Sequence, residues 1–194
     1  MKRLFAAVRF EAGRELNAYI GGIRLKLAHE NIRWVPAENY HLTLKFFGET
    51  EEQRIPALSA ALRKACEKQY PIPLSSGRCG IFGSRHQPRV IWLSVEDPRK
   101  ELRKLFSNIH HELEALGIKR DRQNFVPHLT LGRISKLKSP TLFRSVMDEL
   151  PEPPGQDFSA RELILYESIL RKPSPEYFAL ETFSFLQPEK DHSY

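Results

Sequence analysis

Apolar positions along the chain alternate between short runs and helical stripes, and the same order of elements occurs twice. Leu4 to Phe10 is an apolar run broken only by Arg9, and it reads as a buried strand. From Glu11 to Glu30, Leu16, Ile20, Ile23 and Leu27 recur at helical spacing. Gly21-Gly22 is expected to bend that helix, at a cost of ~1 kcal/mol per Gly against Ala. Trp34-Val35-Pro36 is extended, because the residue before proline avoids the helical region. Tyr40 to Phe47 then alternates as a strand, with His41, Thr43, Lys45 and Phe47 on one face. Leu42, Leu44 and Phe46 take the other face, and Gly48 ends the strand. A helix over Glu51 to Gln69 carries Ile55, Leu58, Leu62 and Ala65, and a strand from Ile72 to Phe82 follows.

Val90 to Val95 repeats the character of the first strand. A helix from Pro98 to Leu116 carries Leu102, Leu105, Ile109, Leu113 and Leu116, with Gly117 as its C-cap. Phe125-Val126-Pro127 leads into a strand ending near Ile134, and a short helix covers Pro140 to Leu150. Pro151-Glu152-Pro153-Pro154-Gly155 breaks the chain before two closing strands, Arg161 to Leu170 and Tyr177 to Leu186. The polar tail from Pro188 is expected to fray.

Both V-P approaches lead into the same four residues. His41-Leu42-Thr43-Leu44 returns as His128-Leu129-Thr130-Leu131, 87 positions later. Each copy shows an imidazole and a hydroxyl to one side and two leucines to the other. One such tetrapeptide is weak evidence, but two at matching places in a repeated order indicate duplication. The expectation is an α+β fold of two similar lobes, each a mainly antiparallel sheet with helices outside. The lobes interleave in a single domain over 1–194, and the motif strands meet at the groove between them.

Composition narrows the setting. The 194 residues, 41% hydrophobic and 28% charged, suit a globular protein with a real core. No apolar run reaches membrane-spanning length. The basic-then-apolar start is cut off by Arg9 and Glu11, too early for a signal peptide, so a cytoplasmic monomer is expected. Net charge of +6 and a pI near 9.4 favour phosphate-bearing partners. Cys66 and Cys79 form no CxxC pair and read as reduced structural thiols.

Two His and two Thr make a poor metal site, since zinc catalysis wants three protein ligands and no HExxH is present. No G-x-S-x-G elbow supports a serine triad, and His110-His111 are expected on a helix surface. Two facing imidazoles suit acid–base chemistry without a cofactor, one neutral as base and one charged as acid. Two hydroxyls between them can donate to phosphoryl oxygens as these gain charge. The combination points to in-line displacement at a phosphodiester.

These motifs resemble the two-histidine (2H) phosphoesterases, defined by paired H-x-[ST]-x. Within that family the chain is most similar to RNA 2′,3′-cyclic phosphodiesterases, also called 2′-5′ RNA ligases. The similarity rests on Leu4 to Val8, Trp34 to Gly48, Pro88 to Leu93 and Phe125 to Arg133. It implies metal-free hydrolysis of a 2′,3′-cyclic phosphate RNA end to a 2′-phosphate, with tRNA fragments among candidate substrates. By position it implies His41 as proton donor, His128 as proton acceptor, and Thr43 and Thr130 as holders of the phosphate oxygens. The identical motifs do not by themselves tell donor from acceptor. Arg133 follows the second motif and is a candidate phosphate ligand, yet strict alternation sets it opposite His128, so it needs a bulge or the end of the strand to reach in. Phe47 is a candidate for stacking on a base. Lys45 reads as solvated, and Trp34 and Tyr40 as core. The basic loop from Gly83 to Arg89 is open between a hairpin connection and a substrate rim, with Arg85, His86 and Arg89 placed to extend RNA contact. Rival readings are the ligase direction, a cyclic-nucleotide or 2′-5′ oligonucleotide phosphodiesterase, and a catalytically idle RNA-binding module.

Overall fold

A computed structural model of the chain describes residues 1–84, 86–120, 125–171 and 174–187. Nine strands and four helices alternate over these residues. They are β1 (Lys2–Arg9), α1 (Arg14–Lys26), β2 (Asn31–Trp34), β3 (His41–Thr50), α2 (Ile55–Cys66), β4 (Ile72–Gly83) and β5 (Pro88–Glu96), then α3 (Glu101–Glu114), β6 (His128–Lys136), α4 (Pro140–Asp148), β7 (Asp157–Ala160), β8 (Glu162–Ile169) and β9 (Glu176–Ser184).

The strands form two antiparallel sheets, ordered β3-β1-β8-β9 and β2-β6-β5-β4-β7. The expected α+β architecture of two sheets with helices is therefore what the chain adopts. Each motif strand lies beside the first strand of its own half, β3 on β1 and β6 on β5. The halves also exchange strands. β4, which ends the first half, pairs with β5, while β8 from the second half pairs with β1. Leu4, Ala6 and Val8 of β1, Ile91, Leu93 and Val95 of β5 and the apolar faces of all four helices share one hydrophobic core. Area removed from water there supplies the main drive to fold. Among the described residues no helix is long and apolar enough to cross a membrane.

Several elements differ from their sequence expectation. α1 runs unbroken through Gly21-Gly22, and a side chain at either glycine would meet nothing within 4 Å. Trp34 belongs to β2, a strand whose four residues are too short for periodicity to show. β7 was likewise not expected. His110 is not on the surface but 1% exposed on the inner face of α3, its ring 4.3 Å from that of Phe106. Gly117 does close α3, with φ of 74° and Ile118 N–H reaching back to the Leu113 carbonyl at 3.1 Å. Arg85 and the tail from 188 lie outside the described residues.

Candidate active site

Both HLTL segments open a strand, and both strands carry a bulge just after the threonine. In the first lobe Thr43 pairs with Ala7 and Lys45 with Ala6, so Leu44 is the extra residue. In the second, Thr130 pairs with Trp92 and Gly132 with Ile91, so Leu131 is extra. A bulge puts two successive residues on the same side and re-aims everything after it. Leu44 and Lys45 both turn into the protein, and Phe46 comes round to the face of His41 and Thr43. Leu131 and Gly132 both turn inward, and Arg133 comes round to the groove.

These bulges correct two expectations and meet the condition set for a third residue. Lys45 is only 4% exposed, with its Nζ 3.4 Å from the Lys119 carbonyl oxygen, and is not solvated. Phe47 packs against the core and does not line the groove, so it is no stacking platform there. Arg133 reaches in, and it does so through the bulge.

The groove contains a depression of about 490 Å³. Its walls include His41, Thr43 and Phe46 from β3, Arg3 and Phe5 from β1, Arg33 and Trp34 from β2, and Arg133 from β6. Tyr177 of β9 completes it, so the closing strands do share in the site. Among the described residues, three arginines and no carboxylate line this space. Arg33 and Arg133 are direct cross-strand partners, an arrangement of like charges that is unfavourable unless an anion lies against it. The second motif opens β6, the strand of the other sheet that carries Arg133. Among the described residues lining this depression neither His128 nor Thr130 appears, but His128 is near enough for its charge to act on His41.

The two imidazoles are held alike. His41 Nδ1 lies 2.7 Å from the Asn39 carbonyl oxygen, and His128 Nδ1 lies 2.8 Å from that of Val126. A carbonyl can only accept, so each Nδ1 carries its hydrogen and each Nε2 is left to exchange a proton. Aromatic rings fix the planes. Phe5 and Tyr177 sit 4.9 and 5.3 Å from the His41 ring, and Phe82 sits 4.8 Å from that of His128. Burial lowers the His41 pKa to about 4, helped by the charges of Arg133 and His128 and opposed by its carbonyl partner. His128 is lowered for the same first reason, again with Arg133 contributing. With no anion bound, both rings are therefore neutral near pH 7.

Among the described residues no group of three or more His, Cys, Asp or Glu could hold a metal ion. The donors gathered are imidazole, hydroxyl and guanidinium, a set for oxyanions and not for cations. His86 and Arg89 line a separate depression with Lys136 and Pro140 and do not rim this one. Tyr40 is core, as expected, and its hydroxyl accepts from Arg24 at 3.1 Å. Trp34 is half-buried between core and groove. Arg3, Phe5, Phe46 and Tyr177 were not foreseen as site residues. Phe5 stands in a strand read only as core, Arg3 lies just before the residues expected in that strand, and Phe46 lay behind an unseen bulge.

The geometry agrees with what the chain is similar to. The LigT-like phosphoesterase family model matches twice, over residues 9–92 and 93–177, which are the two halves already evident in the fold. A Methanothermobacter thermautotrophicus protein named RNA 2′,3′-cyclic phosphodiesterase is 30% identical over 186 residues, covering 93% of this chain and 97% of its own. A Methanocaldococcus jannaschii protein of the same name is 28% identical over 175 residues, covering 90% and 96%. Among solved structures, a Thermus thermophilus protein aligns with a TM-score of 0.75 at 26% identity, over 94% of this chain and 97% of its own. Escherichia coli LigT complexed with 3′-AMP aligns with a TM-score of 0.74 at 27% identity, over 96% and 99%. Two matched repeats over most of its length, and a 30%-identical relative over nearly all of it, make the chain a member of the LigT-like phosphoesterase family.

Proposed function

We propose that the protein hydrolyses RNA 2′,3′-cyclic phosphate ends to 2′-phosphate ends by paired-histidine acid–base catalysis, without a metal. The single observation that carries this is the matched pair of imidazoles, each tied through Nδ1 to a carbonyl, with His41 in an arginine-lined groove and His128 close enough for its charge to reach it. The relatives' shared name supports the substrate class. The whole chain acts as one unit, a cytoplasmic monomer on this reading, since each lobe supplies one motif.

In the reaction water attacks phosphorus opposite the 3′ oxygen. His128, neutral, accepts water's proton at Nε2. His41, charged, donates its Nε2 proton to the departing 3′ oxygen. The Thr43 and Thr130 hydroxyls donate to the non-bridging oxygens, and Arg133 offsets the charge that develops on them. His41 must gain a proton to serve as donor, although burial holds its pKa at about 4. The substrate supplies the remedy, because a bound phosphate offsets Arg133 and favours imidazolium. Binding and proton uptake are thus linked.

The test is turnover of a short RNA with a cyclic phosphate end in excess chelator, with the product isomer identified. A 2′-phosphate formed at full rate is the expected result. Activity that vanishes in chelator and returns with added metal, or a 3′-phosphate product, would overturn the mechanism.

A further inference from the structure

The depression is longer than one phosphoryl group. Strand register orders its first wall: His41 stands opposite Arg9, Thr43 opposite Ala7, Phe46 opposite Phe5, and Arg3 lies two residues further along β1. From Ala7 to Arg3 is four strand steps, about 13 Å at ~3.3 Å each. That is roughly two nucleotides of an unstacked strand. Arg133 serves the near end, where its charge acts on both histidines. Arg3, two residues beyond Phe5 on β1, stands further from the motif threonine than Phe5 does. There its guanidinium lies 4.9 Å over the Phe46 ring. Among the described residues no carboxylate forms an ion pair with Arg3. Phe46 is 48% exposed, a large ring left open to water inside a groove.

Resting on the cyclic-phosphodiesterase reading, we propose that Arg3 and Phe46 form a subsite for the nucleotide that precedes the cyclic end. Arg3 binds the phosphate on the 5′ oxygen of the terminal nucleotide, and Phe46 stacks on the base upstream of it. Guanidinium matches a phosphodiester in shape and charge. An aromatic face accepts any base, so the subsite measures chain length and not sequence. The enzyme then prefers oligonucleotide ends to cyclic mononucleotides.

Three substrates separate the parts: adenosine 2′,3′-cyclic phosphate, its 5′-phosphorylated form, and a diadenylate with a cyclic end. For the unaltered protein kcat/KM is expected to rise at each step. Arg3→Met should remove the gain due to the 5′-phosphate, ~10–100-fold for one lost charge-assisted contact, and Arg3→Lys should restore part of it. Phe46→Leu should keep that gain and lose the one from the second base, about tenfold. Ratios are taken within each variant, so partial loss of folded protein cancels. Equal kcat/KM on all three substrates, or ratios that survive both Arg3→Met and Phe46→Leu, would overturn the subsite while leaving the proposed reaction standing. No turnover of any of them by the unaltered protein would overturn the reaction itself, and the subsite with it.

Discussion

The two motif regions start from the same four residues and end as different surfaces. Both fix Nδ1 on a carbonyl, both bulge after the threonine, and both then aim the fifth residue after the histidine into the groove. That fifth residue is Phe46 in one lobe and Arg133 in the other. The residue before it is a buried Lys45 in one and a buried Gly132 in the other. His41 is further covered by Tyr177 from β9, and its pKa falls to about 4, whereas His128 meets Phe82 from β4 and Trp92 from β5. Duplication supplied equivalent positions, and the flanking residues gave them separate tasks. One slot carries an aromatic ring and the other a guanidinium.

The strongest way to break that comparison is to remove each imidazole in turn. His41→Ala and His128→Ala should each cost ~10²–10⁴-fold in kcat. A phosphodiester with a 4-nitrophenolate leaving group needs no protonation of that group, so it should rescue the variant lacking the acid and not the one lacking the base. Rescue is expected for His41→Ala. If His128→Ala is rescued instead, the two roles are reversed.

Next in size is the slot itself. Arg133→Met should lower kcat/KM by ~10–100-fold, as one charged contact is lost. It should also raise the pKa of both histidines, because the Arg133 cation now lowers them. NMR titration of the ring protons reads that shift directly, and unchanged values would separate Arg133 from the pair.

The pH profile sharpens the same point. kcat/KM reports groups of the free enzyme, and both histidines there lie below 6.5. One of them must be charged, so kcat/KM should fall as pH rises through the higher of their two values, on the acid side of 6.5. Bound phosphate raises both, so the alkaline limb of kcat should lie at higher pH than that of kcat/KM. Coincident limbs would mean that substrate does not retune the pair.

Much of this arrangement could be read from the chain, and what could not has a physical cause. The duplicated HLTL and the helical stripes carried the fold, because burying one face of each element demands a regular pattern. A bulge leaves no mark on residue types, so counting outward from Thr43 put Phe47 in the groove. A signal was nonetheless present. Counting forward from Leu131 sends Arg133 into the core, and counting back from Ile134 sends it out. A single bulge is what reconciles the two counts. Tyr177 had no such signal, since its place follows from β9 pairing with β8. His110 misled because a polar residue on an otherwise apolar face looks like that face's edge.

The smallest expected effects concern backbone. A Cβ on Gly132 would meet Ile32 Cγ2 at 2.8 Å and Trp34 at 2.9 Å, so Gly132→Ala should destabilise by ~1–3 kcal/mol in chemical denaturation. The equivalent slot in the other lobe already holds Lys45, so the intolerance belongs to β2 crossing beside β6. Gly21→Ala and Gly22→Ala should instead stabilise, by at most about 1 kcal/mol each, since nothing opposes their side chains. A loss at either would show that α1 needs its glycines.

The exchange of strands between halves also governs how the nascent chain matures. β1 is synthesised well before β8, yet its second edge pairs with that strand, where Leu4 meets Glu167. At roughly 5–20 residues per second that partner arrives on the order of ten to thirty seconds later. Throughout that interval the sheet bearing His41 has an open edge, the kind of surface on which strangers pair. Maturation of the first lobe therefore waits for the second, and the groove closes only after β8 and β9 have been made.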